Sequence, residues 1–225
     1  MAYQLTFDLG LRPALGREDF LVTPSNSAAV ALVDQWPKWP AHGAILAGPR
    51  ASGKSHLAGV WQGNAQAKLV SASVLAIEEV PELFGTKAVV VEDFAVGACN
   101  EAALFHLLNY AQQNGGFVLL TTLEIPFKGI TLPDLYSRLH ALPSAVILPP
   151  DDALLRGVLV KHFNDKQIAI DEALISYLVA RMPRSLEFAR ALVSEIDREA
   201  LANRVEVTRQ FVGKILARLE MLELF

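Results

Sequence analysis

Short unbroken apolar runs alternate along the chain with stretches of helical spacing. The runs fall at residues 44–48 (AILAG), 68–72 (KLVSA), 88–93 (AVVVED), 117–122 (FVLLTT) and 145–150 (AVILPP). Each is aliphatic at consecutive rather than alternate positions, as a strand covered on both faces requires. Between them, residues 55–62, 73–80, 100–114 and 132–139 carry amphipathic helical spacing. This alternation predicts a layered α/β domain built on a parallel sheet.

After Pro149-Pro150 the texture changes. Residues 151–164, 171–182, 185–202 and 208–222 all have helical spacing, with no strand pattern between them. Asp151, Asp171 and Thr208 stand where N-caps belong. The expected organisation is a tail at 1–19, an α/β nucleotide-binding domain at 20–150 and a small all-helical lid domain at 151–225. The tail opens MAYQLTFDLG, with Leu5, Phe7 and Leu9 on alternate positions, and Gly10, Pro13 and Gly16 follow. That pattern is a short extended apolar segment on a breaker-rich tether.

The sharpest chemical signal is AILAGPRASGKSHL, which contains Gly48-x-x-x-x-Gly53-Lys54-Ser55, the complete phosphate-loop pattern. A loop between strand and helix turns its backbone N–H groups inward around phosphates, and glycine permits the close approach at its ends. Lys54 is expected on the β- and γ-phosphates and the Ser55 hydroxyl on Mg²⁺, with the helix N-terminus aimed at the anion. The expected nucleotide contacts are Gly48, Pro49, Ala51, Ser52, Gly53, Lys54, Ser55 and His56.

Such a loop needs an acidic strand end to hold the metal and polarise water. AVVVED supplies one, with Glu92 expected on the metal side and Asp93 as the base. The strand FVLLTT ends in Thr121 and Thr122, and Thr122 is a candidate for the γ-phosphate or the attacking water. Threonine also ends strands for conformational reasons alone. Arg138, late in the helix before the last strand, is placed to reach a neighbouring subunit's γ-phosphate. Arg184, at the start of a lid helix, is placed to fold back on bound nucleotide. Taken singly, an arginine is more often a surface charge or a helix-end partner, and only the wider pattern favours the nucleotide reading.

Composition narrows the class. Of 225 residues, 52% are hydrophobic and 20% charged, which excludes a disordered chain. No apolar run is long enough to cross a bilayer and no secretion signal is present, so no membrane partner is expected and the cytoplasm is the expected compartment. Cys99 is the sole cysteine, which excludes an internal disulfide. The five histidines lack metal-ligand spacing. A net charge of −4 favours protein partners over direct nucleic-acid binding.

Together these pieces resemble the AAA+ ATPases and, among them, the bacterial replication initiator DnaA. PSNSAAVALV is similar to the initiator's stretch lining the adenine pocket, GPRASGKSHL to Walker A and VVVEDF to Walker B. LLTT is similar to sensor 1, LYSRL to the arginine-finger box and MPRSLEFARALVSEID to sensor 2 on the lid. The resemblance makes Arg138 the finger and Arg184 the sensor 2 arginine. It carries no match for the initiator's C-terminal DNA-binding domain.

In front stands QLTFDL, which resembles the peptide that docks proteins on the DNA polymerase sliding clamp, with Gln4, Leu5, Phe7 and Leu9 as its contacts. A clamp peptide joined to a lone DnaA-like module resembles the Hda family (HdaA in some lineages). The resemblance implies a regulator that binds ADP or ATP with Mg²⁺, sits on the clamp and stimulates ATP hydrolysis by DnaA, restraining replication initiation. DNA would be met indirectly through the clamp, and a homodimer is left open. Two departures bear on its own catalysis: glutamate precedes aspartate at 92–93, and Thr121-Thr122-Leu123 replaces the polar Thr-Ser-Asp of sensor 1. Both argue for weak or no hydrolysis of its own.

Two other classes compete. A self-sufficient ATPase acting on DNA, such as a helicase loader, would turn over without partners and bind DNA directly. A small phosphate-loop kinase would need an acceptor pocket, for which the sequence has no signature.

Overall fold

The computed structural model describes residues 21–223. One unit comprises Asn26–Leu148. Its sheet has five parallel strands in the order β2-β3-β4-β1-β5. These are β1 (Gly43–Ala47), β2 (Lys68–Ser71), β3 (Ala88–Phe94), β4 (Phe117–Thr122) and β5 (Ser144–Val146). The helices are α1 (Ser27–Asp34), α2 (Lys54–Ala65), α3 (Val80–Leu83), α4 (Glu101–Asn114) and α5 (Pro133–Ala141).

Consecutive apolar residues serve both faces of the sheet. Val89, Val91, Val118, Leu120 and Ile45 join Leu104, Leu107, Leu135 and Leu139 of α4 and α5 in one core. Alternation sends Val90, Leu119 and Leu46, all fully buried, to the opposite face. There α2 packs on β3 and β4, with Leu57, Ala58 and Trp61 inaccessible to solvent. Trp61 stacks on Trp39, their ring centroids 5.4 Å apart.

Two local expectations differ from what is observed. Residues 73–80 form single 3₁₀ turns at Ala72–Val74 and Ile77–Glu79, and α3 is only four residues long. The last apolar run pairs only over Ser144–Val146, continued by one bond from Ile147 N to Ala47 O at 2.7 Å.

The second unit joins Leu21–Ser25 to residues 149–223. It contains α6 (Asp152–Asp165), α7 (Glu172–Val179), α8 (Leu186–Asn203) and α9 (Arg209–Glu223). Its core centres on Leu155, Leu159, Phe163, Phe188, Leu192 and Ile215. The Asp151 carboxylate accepts from Leu154 N at 2.8 Å, Asp171 from Leu174 N at 2.7 Å, and the Thr208 hydroxyl from Phe211 N at 3.3 Å. Each satisfies a backbone donor that a helix start leaves unpaired. No described helix is long and apolar enough to cross a membrane.

Candidate functional site

β1 and β4 run side by side, with Ala47 opposite Thr122. The chain leaves β1 at Gly48, whose N–H donates to Thr122 O at 3.2 Å. A Cβ on Gly48 would lie 2.5 Å from the Ile147 carbonyl oxygen and 3.0 Å from Ser52 Oγ. The glycine is therefore dictated by a close backbone approach. Ala51 (φ 56°) and Gly53 (φ 101°) take left-handed conformations that curl the loop back on itself. Gly53 precedes α2 without any side-chain cap. The first N–H groups of α2 thus keep their donor capacity, and the helix dipole adds partial positive charge there.

Lys54 lies inside this curl, 7% exposed. Its Nζ donates to the carbonyls of Gly48 and Pro49, both at 2.7 Å. Burial pulls the ammonium pKa down and the charge of Asp93 opposes that shift. Ser52, 3% exposed, has an Oγ with no hydrogen-bond partner among the described residues. A buried ammonium, an orphaned hydroxyl and an uncapped helix start form a set suited to phosphate. Ser55 and His56 are exposed at the head of α2.

The acidic strand end is irregular. Register between β3 and β4 slips between Val91 and Phe94, and Asp93 adopts φ 56°. Its N–H donates to Thr121 Oγ at 3.0 Å. Glu92 is half-buried and Asp93 exposed. The bulge brings the Asp93 carboxylate to bear electrostatically on Lys54. Thr122 is buried, and its hydroxyl donates to Phe94 O at 3.0 Å. That proton is therefore committed to the backbone.

Arg138 lies elsewhere. It is in the last turn of α5, just before β5 begins. Its Nη1 donates to Gln112 Oε1 at 2.5 Å, in the last turn of α4, just before β4 begins. Its guanidinium also lies 5.8 Å from the Phe105 ring centroid. Gln112 and the start of β5 mark the end of the sheet where strands start, whereas the phosphate loop follows the end of β1. Arg138 and the loop are thus at opposite ends of a parallel sheet. Sequence gave no sign of Gln112 as a neighbour, because the two are 26 positions apart. Glu101 was also silent in sequence: its carboxylate accepts from Thr131 N, Thr131 Oγ and Leu132 N, holding the entry to α5.

Arg184 is exposed in the helical unit, where Nη1 donates to Pro150 O at 3.1 Å and Nη2 pairs with Asp152 at 2.6 Å. Gln4, Leu5, Phe7 and Leu9 lie outside the described residues. Among the described residues no cluster of three His, Cys, Asp or Glu is disposed to hold a metal. A phosphate-loop Mg²⁺ does not call for one, since it is held by one or two protein groups together with phosphates.

No protein-family model matches the sequence, and no curated protein matches it significantly. Solved structures do match. Domain III of the Thermotoga maritima replication initiation protein DnaA superposes with a TM-score of 0.72 at 18% identity, over 92% of this chain and 98% of that one. AMPPCP-bound DnaA from Aquifex aeolicus gives 0.65 at 19% identity, over 83% of this chain and 65% of the other. The Thermotoga maritima RuvB Holliday junction branch migration motor gives 0.63 at 16% identity, over 79% and 62%. The chain has the AAA+ ATPase fold, in the form seen in domain III of DnaA.

Proposed function

We propose that this protein is a nucleotide-binding AAA+ regulator that presents Arg138 to the ATP of a DnaA-type partner, held beside it by the DNA polymerase sliding clamp. In this reading it acts as a negative regulator of replication initiation in the cytoplasm. The observation that carries it is that Arg138 sits late in α5, against Gln112 at the strand-start end of the sheet, while the phosphate loop lies at the strand ends. An arginine so placed serves a neighbour's nucleotide and not its own. A finger supplied in trans accelerates well-studied GTPases by about 10³–10⁵.

Residues 48–55 would hold the phosphates of ADP or ATP, with Lys54 and the N–H groups opening α2 as donors. Bound nucleotide would supply the negative charge that completes this set. Ser55 and Glu92 would carry Mg²⁺, with Asp93 beside them as base and Thr122 at the adjoining strand end. Arg184 would contribute from the lid. Commitment of the Thr122 proton to Phe94 O and the departures at 92–93 and 121–123 support slow turnover by this chain itself. Gln4, Leu5, Phe7 and Leu9 would dock in pockets of the clamp as an extended peptide.

The test measures ATP hydrolysis by purified DnaA in the presence of clamp-loaded DNA and this protein. Arg138→Ala should retain nucleotide binding and lose the stimulation. Unchanged stimulation would overturn the finger assignment. Alanine at Gln4, Leu5 and Phe7 should abolish clamp capture. Brisk hydrolysis by the protein alone would instead favour a self-sufficient ATPase.

A further inference from the structure

In the helical unit, Tyr177 on α7 meets the first two turns of α9. The guanidinium carbons of Arg181 and Arg209 each lie over its ring, 4.4 Å from the centroid. Beside it is an open groove of about 690 Å³, lined by Tyr177, Arg209, Gln210, Gly213, Lys214 and Ala217. The lining includes no carboxylate. Arg181, Arg209 and Lys214 are exposed, and none has an ion pair among the described residues.

The contrast with the same helix further along is informative. Arg218 is held by both Glu195 and Glu199, each at 2.6 Å. The chain is acidic overall, at −4. Among the described residues it nevertheless leaves Arg209 and Lys214 on the groove, and Arg181 beside them on Tyr177, without a carboxylate partner. The groove also depends on Gly213, because a Cβ there would stand 2.9 Å from the Tyr177 hydroxyl.

We infer that this groove is a binding site for the phosphate backbone of duplex DNA. Guanidinium forks match phosphate oxygens bidentately and are weakly hydrated, and the cation–π contacts with Tyr177 restrain both side chains before a ligand arrives. Lys214 adds a point charge and Gln210 an amide donor. The chemistry disfavours other anionic partners. The lining offers neither an apolar pocket of the kind that anchors a protein segment nor the large aliphatic side chains that insert into a bilayer. Ala217 is the only aliphatic side chain on the lining. Tyr177 is engaged by two guanidiniums, whereas single-strand binders hold aromatic faces open for bases. The contact reads no sequence, since phosphates carry none. It does not rest on the proposed partners or on the finger.

The test uses the full chain and fluorescence anisotropy of a labelled random-sequence duplex across a salt series. Wild type should bind with a dissociation constant on the order of 10⁻⁴–10⁻⁶ M near physiological salt. The combined change Arg181→Ala, Arg209→Ala, Lys214→Ala should weaken binding at least roughly tenfold and lower the salt slope by about two to three phosphate equivalents. Gly213→Ala, which keeps all three charges, should also weaken it by displacing Tyr177. Circular dichroism melts establish that the variants fold, and mant-ADP binding establishes that the nucleotide site is intact. Equal duplex affinity and equal salt slope in wild type and the triple variant would overturn the inference. Unchanged DNA binding with loss of binding to phosphatidylglycerol vesicles or polyglutamate would also overturn it, and so would a preference for single strands that the triple variant removes.

Discussion

The backbone N–H of Asp93 donates to the hydroxyl oxygen of Thr121 at 3.0 Å, coupling the acidic end of β3 to the polar end of β4. The bond spans the register slip and holds Asp93 in its left-handed conformation. Thr121 is 1% exposed, so an apolar replacement would leave the Asp93 N–H facing a methyl group. Thr121→Val should cost about 1–3 kcal/mol in urea unfolding, and Thr121→Ser should recover most of it. Nucleotide affinity should fall with Thr121→Val, since Asp93 acts on Lys54.

Gly48→Ala is expected to be more damaging than its single methyl suggests. The added Cβ would press 2.5 Å from a main-chain oxygen, that of Ile147, whose own N–H is bonded to Ala47 O just past the end of β5. Overpacking of this kind costs about 1–3 kcal/mol. A thermal melt should show the loss, and mant-ADP fluorescence should show a phosphate loop that no longer closes on its ligand.

Glu101 gives the domain an acid-sensitive point. Desolvation pushes its carboxyl up, but the hydrogen bonds from Thr131 and Leu132 outweigh this, and the net shift is below the usual 4.5. The unfolded chain therefore takes up a proton at higher pH than the folded one. The stabilisation is fully present above about pH 4.5 and is lost as pH falls through the folded value. Glu101→Gln should reduce the urea midpoint near neutrality, and its deficit against wild type should shrink on acidification to about pH 3.5.

Cys99 should be a slow thiol. Burial, with help from the Glu101 charge, pushes it up to about 11. At about pH 8 its thiolate fraction is then on the order of 10²-fold below that of free cysteine. Alkylation by iodoacetamide, followed by mass spectrometry, should show a corresponding lag that disappears in denaturant.

Much of this was legible in sequence because the signals are local. The strands announced themselves as unbroken aliphatic runs, and the caps at Asp151, Asp171 and Thr208 as oxygens three positions before a donor. The phosphate loop has fixed spacing that any reader of the chain can find. What stayed hidden depends on chain segments meeting at a distance. α1 is a run of only eight residues (SAAVALVD) whose cap position Asn26 makes no side-chain cap bond, too short a pattern to stand out as a helix. The bulge at Asp93 arises from how β3 registers on β4, which neither strand encodes alone. The Tyr177 groove joins a residue of α7 to residues some thirty positions later on α9, and only the turn before Arg209 brings them together.

Putting the receiving loop at one edge of the sheet and the arginine at the other gives the molecule a polarity. A contact that sets one copy's loop end against the next copy's arginine end brings unlike surfaces together, and repeated it runs head-to-tail. In such a row one terminal loop always lacks a donor and one terminal arginine always lacks a recipient. On the function proposed above, this chain would take the first position, its own loop left without a donor while its arginine closes a row that other subunits began.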